Sequence, residues 1–265
     1  MNLIIIIFTV IIFSYLSLLL YLYIYQRKIV FKPSKIIDLD ILSLDKDIKE
    51  IVIISEGNIK CQIWYKKSDN NNPTILYFHG NKGNLGNRAN KFKELLNQDF
   101  GLLAISYQGY GNSEGKPSES GLYNNALSAL NYLKSQDINL ENIIFYGESL
   151  GTGVAIELAS HYSPKLLALE APYTSMLDLA HEKYPLIPIH LLLKDKFDSL
   201  SKIDKITCPV IIFHGKKDPT IPFHHSERLM EKIKTPKIFH IFNEVSHIDF
   251  NHKELAKIIR QFVDK

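Results

Sequence analysis

The chain has 265 residues, 46% hydrophobic and 22% charged, with a net charge of only +3 at pH 7. That length suits one domain with a large core, and the small charge, without a Lys/Arg tract, zinc spacing or stacked-aromatic motif, argues against a nucleic-acid binder. Cys61 and Cys208 stand far apart and form no Cys-x-x-Cys pair, so neither a disulfide framework nor a cysteine metal site is expected, which suits a reducing compartment.

The first element is an uncharged run from Leu3 to Tyr25 built of Ile, Leu, Phe, Val and Tyr, interrupted only by Thr9, Ser14 and Ser17. At about 1.5 Å per residue it spans the roughly 30 Å hydrocarbon layer. It exceeds the roughly 7 to 15 apolar residues of a signal peptide, and neither a basic leader nor a small-x-small site flanks it, so residues 1–26 read as an uncleaved single-pass anchor. Tyr15, Tyr21, Tyr23 and Tyr25 crowd towards its end, where aromatic rings favour the headgroup level. Arg27, Lys28, Lys32 and Lys35 follow, and this positive bias puts the remainder, residues 27–265, in the cytoplasm as one domain.

Short apolar runs at Ile51 to Ile54 and Ile59 to Tyr65, split by Glu56, Gly57 and Asn58, predict an antiparallel hairpin at a sheet edge. After the polar stretch Ser68 to Asn72, Thr74 to Phe78 reads as a strand buried on both faces. A helix around Phe92 to Leu96, a strand at Leu102 to Tyr107 and a helix at Leu122 to Leu133 follow. Next come a strand at Ile143 to Tyr146, a helix through Val154 to Ala159 and a strand at Leu166 to Glu170. This alternation predicts an α/β fold, a mostly parallel sheet with helices on both faces. Between 172 and 205 it breaks: Pro185 and Pro188 interrupt an apolar stretch with Leu191, Leu192 and Leu193, read either as a small cap or lid or as a plain irregular connection. A strand at Val210 to Phe213, a helix around Ser226 to Ile233, a strand at Ile238 to Phe242 and a helix from Lys253 to Phe262 complete the pattern.

The chemistry centres on Gly147-Glu148-Ser149-Leu150-Gly151, a Gly-x-Ser-x-Gly set between a strand and a helix. A serine on so sharp a turn needs neighbours without side chains, and the following helix turns backbone N–H groups towards forming negative charge. A serine hydroxyl also needs a base and the base an orienting acid. Asp218 follows the strand Val210 to Phe213, and His247 follows Ile238 to Phe242, so both fall at the carboxyl edge where open parallel sheets place their sites. Glu170, also at a strand end, is the rival acid; His224, His225, His240 and His252 are less well placed. For the oxyanion, the expected donors are the backbone N–H groups of Leu150 and of Asn81, in the loop after Thr74 to Phe78. That loop holds Gly80, Gly83 and Gly86 but lacks both Gly-Lys-Ser/Thr and Gly-x-Gly-x-x-Gly, which argues against a nucleotide cradle. His79, His214 and His247 share no metal-ligand spacing, and neither a metal nor an organic cofactor is expected.

Five blocks in order carry a family likeness: Tyr77-Phe78-His79-Gly80-Asn81 with Gly83-Asn84; Tyr107-Gln108-Gly109-Tyr110-Gly111 through Ser118; Gly147 to Gly153; His214-Gly215 with Asp218; and Ser246-His247. From Ile51 to Lys265 the chain resembles the α/β-hydrolase superfamily, and within it the membrane-anchored abhydrolase-domain serine hydrolases, the branch of bud-emergence-type proteins and protein depalmitoylases. The resemblance implies a triad at Ser149, Asp218 and His247, oxyanion donors at Asn81 and Leu150, and in several members a leader helix. One departure is Gln108, where arginine is the commoner family residue. The expectation is a membrane-anchored serine hydrolase cleaving esters or thioesters, acting on acyl chains at the bilayer surface. A peptidase or amidase of the same fold, or a non-catalytic scaffold, are the alternatives.

Overall fold

The computed structural model describes residues 3–36, 41, 44–69 and 72–264; Asn70, Asn71 and Lys265, which fall within the stretches read above, lie outside the described residues. The chain starts with helix α1 (Leu3–Val30), strand β1 (Lys32–Pro33) and the hairpin β2 (Lys49–Ser55) and β3 (Ile59–Lys66). Then come β4 (Thr74–Phe78), β5 (Lys82–Gly83), α2 (Ala89–Leu96), β6 (Gly101–Ile105), α3 (Glu119–Ser135), β7 (Ile143–Glu148) and α4 (Leu150–His161). The remainder is β8 (Leu166–Glu170), α5 (Met176–Lys183), α6 (Ile189–Leu192), β9 (Val210–Gly215), α7 (His224–Lys232), β10 (Lys237–Phe242) and α8 (His252–Val263).

Eight strands form one sheet in the order β10-β9-β8-β7-β4-β6-β3-β2. Among the described strands of this sheet only the β2–β3 and β3–β6 pairings are antiparallel, so β3 runs against the rest, and the expected hairpin forms one edge. Strand β6 stops at Ile105, short of the expected Tyr107, because the backbone turns: the Tyr110 N–H donates to Tyr107 O, and the Gly109 N–H donates to Glu114 O. Gln108 spends its side chain on this turn, its amide donating to Lys116 O.

Alternation along the strands sorts the core into two layers. Leu76, Phe78, Phe145, Leu167 and Ile212 face α3, α4 and α7, while Ile75, Tyr77, Tyr146, Ala168 and Phe213 face α2 and α8. Both faces are covered, which is why the central strands read as unbroken apolar runs. The register pairs Phe78 with Gly147, Glu148 with Glu170, Glu170 with Phe213 and Gly215 with Phe242, so the loops after β4, β7, β8, β9 and β10 leave from one edge.

Between β8 and β9 the alternation gives way to α5 and the single turn α6. Ser175 caps α5 by accepting the Asp178 N–H, and Pro188 stands at the N-cap of α6. Helix α1 lies against this segment: the Tyr15 hydroxyl donates to Leu186 O, the Gln26 amide to Leu192 O, and Arg27 pairs with Asp195 at 2.7 Å. Past α1 the chain pairs β1 with β5, so the end of the apolar helix is hydrogen-bonded to the loop that follows β4.

Candidate active site

Ser149 is the single residue between β7 and α4, at φ 50° and ψ −116°. This is a left-handed conformation that costs an L-residue free energy and persists only when the surroundings impose it. They do: the Ser149 N–H donates to Glu170 O at 2.8 Å, and its carbonyl accepts from the Thr152 N–H at 2.9 Å and the Thr152 hydroxyl at 2.6 Å. A Cβ on Gly147 would lie 2.6 Å from Thr152 Cα, and one on Gly151 would lie 2.0 Å from Phe78 O. The spacing of the two glycines is therefore a packing requirement of the turn.

The structure brings Ser149, His247 and Asp218 together. Ser149 Oγ is 2.9 Å from His247 Nε2, and His247 Nδ1 is 2.6 Å from Asp218 Oδ2. The loop carrying the histidine is drawn in because the Lys216 N–H donates to Phe242 O and the Lys217 N–H to Val245 O. Asp218 Oδ1 accepts from the N–H groups of Thr220 and Ile221, and Oδ2 lies 3.4 Å from His214 Nε2. Burial pushes the Asp218 carboxyl up, but the hydrogen bonds of His214 and His247 outweigh it and hold the group well below the usual carboxylate range. A charged Asp218 can only accept, so the proton on His247 sits at Nδ1 and Nε2 is left to accept from the serine hydroxyl.

The expected oxyanion donors flank the serine. Gly80, next to Asn81, is so close that a Cβ there would lie 3.5 Å from Ser149 Cβ, and Leu150 is its chain neighbour. Among the described residues no protein acceptor takes the backbone N–H of Asn81 or Leu150. Asn81 is fixed through its other groups: its amide donates to Val30 O at the end of α1, and its carbonyl accepts from the Lys32 N–H and the Tyr110 hydroxyl. The glycine-rich loop is thus clamped between α1 and the turn around Tyr110.

A buried charge cluster behind the serine was not foreseen. Glu148 accepts from Arg88 at 2.8 Å, Lys91 at 2.6 Å, Tyr77 at 2.5 Å and the Gly80 N–H at 3.2 Å. Lys91 also reaches Glu170 at 2.7 Å, and the Tyr146 hydroxyl donates to the same carboxylate. Burial raises both carboxyls, yet the charges of Lys91 and Arg88 drive Glu148 far below its ordinary value, while burial and the neighbouring Glu148 charge leave Glu170 raised. The rival acid Glu170 is occupied here, on the α2 side of the sheet, and His247 bonds to Asp218. Strand-end Glu148 was the available signal, since a carboxylate beside a buried serine turn demands a cation. Beside this cluster lies a cavity of about 250 Å³ lined by Lys82, Arg88, Lys91, Glu148, Ile248 and His252, which touches the chain neighbours of Ser149 and His247 but neither of those residues. His224 and His225 lie against Glu182, and His240 stacks on Phe213, away from the serine.

A mostly parallel sheet, helices on both faces and a serine on the turn after the fifth strand of the main sheet together define the α/β-hydrolase fold. In keeping with this, the esterase Pf2001 of Pyrococcus furiosus superposes with a TM-score of 0.70 at 17% identity, covering 89% of this chain and 97% of that one. The family model described as "Serine aminopeptidase, S33" matches residues 69–200, which include Ser149 and end before Asp218. "Uncharacterized protein MT2364" of Mycobacterium tuberculosis is 30% identical over 244 residues, 90% of this chain and 87% of that protein. "Lysophosphatidylserine lipase ABHD12" of Rattus norvegicus is 30% identical over 239 residues, and "Alpha/beta hydrolase domain-containing protein 17B" of Homo sapiens 34% over 184. The chain covers 78% and 69% of its own length in these two matches and spans 60% and 62% of theirs. The chain belongs to the α/β-hydrolase superfamily and is of the abhydrolase-domain type.

Proposed function

We propose that this protein is a serine hydrolase that cleaves carboxylic esters or thioesters through an acyl-enzyme on Ser149. The observation that carries the reading is the line of two hydrogen bonds, 2.9 Å from Ser149 to His247 and 2.6 Å from His247 to Asp218. His247 Nε2 takes the hydroxyl proton as Ser149 Oγ bonds to the carbonyl carbon; the Leu150 and Asn81 N–H groups receive the oxyanion; the imidazolium returns the proton to the departing alcohol or thiol. Water, deprotonated by the same nitrogen, then releases the acid and regenerates the serine. Asp218 keeps the imidazole in the required tautomer and balances its transient charge.

Residues 1–26 anchor this catalyst in a bilayer in the same reading, with the domain on the side of Arg27, Lys28, Lys32 and Lys35. Helix α1 is 28 residues long, and most of its apolar side chains are exposed. The segment from 172 to 205 serves as the lid, and its bonds from Tyr15 and Gln26 to Leu186 and Leu192 keep it beside the helix. Acyl chains held in that bilayer are therefore the substrate class, in line with the lipase activity in the name of the ABHD12 relative. A reporter fused to the C-terminus checks the topology: signal on the extracytoplasmic side contradicts it.

A fluorophosphonate probe tests the nucleophile. Labelling of the wild type that is lost in Ser149→Ala supports it, and equal labelling of both rejects it. The match to a serine aminopeptidase model gives a second reading, amide hydrolysis by the same residues. Rates on p-nitrophenyl acyl esters and on amino-acid amides separate the two, and no turnover of either, without probe labelling, leaves a scaffold.

A further inference from the structure

Away from Ser149, the end of α5 meets the start of α7. Glu182 Oε1 is 3.0 Å from His224 Nε2, Glu182 Oε2 is 3.4 Å from His225 Nε2, and one ligand atom from each of the three residues lies within 4.8 Å of the others. The two rings stack at 4.5 Å. His225 is fully buried, yet among the described residues its Nε2 has no hydrogen-bond partner.

Its other nitrogen explains why this matters. His225 Nδ1 is 2.7 Å from Thr174 Oγ1, which is 2.5 Å from Asp178 Oδ2. A carboxylate only accepts, so the single hydroxyl proton of Thr174 goes to Asp178, and His225 Nδ1 must carry the proton donated to Thr174. The Thr174 N–H approaches the same nitrogen at 3.4 Å, too far to compete. The bare lone pair of the imidazole is therefore at Nε2, aimed at Glu182 Oε2, which is also an acceptor. In the neutral ring, two acceptors thus face each other, one of them on a fully buried side chain, and a cation between them satisfies both.

We propose that Glu182, His224 and His225 bind a divalent transition-metal ion, with zinc as the best-suited, and that the ion staples α5 to α7. Two imidazoles and a carboxylate form a donor set for such an ion, whereas magnesium and calcium prefer oxygen alone. Bonds of roughly 2.0 to 2.2 Å set tetrahedral donors about 3.3 to 3.5 Å apart; the two carboxylate–imidazole distances, 3.0 and 3.4 Å to different oxygens of Glu182, lie near that range, and the wider triangle, within 4.8 Å, closes by movement of the exposed Glu182 and His224 side chains. The Glu182 and His224 side chains are 39% and 46% exposed, which gives the ion a path in and lets both adjust. Thr174 and Asp178 behind His225 fix its tautomer in the way an outer shell does. No spacing along the chain reveals the site, because Glu182 and His224 are 42 residues apart. The ion touches no atom of the proposed reaction; it joins the 172–205 segment to the helix whose Ser226 bonds His214, the neighbour of Asp218.

The test uses untagged full-length protein in detergent micelles, stripped with a chelator and titrated with zinc against a chromophoric competitor. One equivalent is expected to bind, to raise the melting temperature, and, when replaced by cobalt, to give the strong visible bands of a tetrahedral site. His224→Ala and Glu182→Gln, both at exposed positions, are expected to weaken binding at least tenfold, the lower end of what even outer-shell partners contribute, and to remove the bands. His225→Gln is expected to do the same if it folds. Failure of the wild type to bind one equivalent, or equal binding by wild type, His224→Ala and Glu182→Gln, overturns the proposal.

Discussion

Lys91 and Glu148 are ion-paired at 2.6 Å with side chains only 4% and 2% exposed, and the same ammonium holds Glu170 at 2.7 Å. The residue before Ser149 and the residue whose carbonyl receives the Ser149 N–H are thereby tied to one cation. Removing that cation leaves Glu170 buried without its cation and Glu148 with Arg88 alone, which is worth far more than a surface pair. Lys91→Met is expected to lower stability by about 3–5 kcal/mol, read from urea denaturation in detergent. Adding Glu170→Gln should recover part of the loss, and a change within 0.5 kcal/mol, the size of an ordinary surface substitution, would contradict the account.

Strain at Ser149 makes a second prediction. Glycine adopts φ 50°, ψ −116° more readily than serine, so Ser149→Gly should relieve roughly 1–3 kcal/mol while turnover falls on the order of 10⁶-fold, as in comparable triads. A thermal melt paired with an ester assay reads both. A melting temperature that drops would mean the backbone there is not strained.

The acid is tested by comparing Asp218→Ala with Glu170→Ala, and Asp218→Asn should lower kcat by about 10⁴-fold. Greater loss of activity at Glu170 would reverse the assignment. Acid stability provides an independent reading. Because the folded state holds the Asp218 carboxyl below its ordinary value, its contribution is fully present above the unfolded value, about 4, and is lost as pH falls towards the folded one. The gap in melting temperature between wild type and Asp218→Asn should thus be widest above about pH 5 and close below about pH 4.

Tyr184, Leu186 and Leu191 are exposed on the 172–205 segment, Leu186 at 85% and Leu191 at 73%, beside a helix that is itself apolar all round. A charge on that surface opposes contact with acyl chains. The pair Leu186→Asp and Leu191→Asp should cut turnover of a long-chain ester in vesicles by about tenfold or more, a loss of roughly 1.4 kcal/mol, leaving a short soluble ester unaffected. Equal loss on both substrates would point to damage of the fold.

Residue types in order were enough to reveal the fold: alternating apolar runs and helical patterns, the edge hairpin, and a serine between strand and helix all follow from local periodicity and turn sterics. The sequence places Glu148 in the turn motif, gives no sign of Lys91, which precedes the predicted helix from Phe92, and puts His225 in no better position than the other loop histidines. Their situations depend on tertiary structure: which cation reaches which buried carboxylate, that Asn81 is bonded to the end of α1, and that Glu182 comes to face two histidines from another helix. Periodicity is a property of neighbours along the chain, whereas pairing, burial and the direction of a lone pair are set by groups that the fold alone brings within a few ångströms.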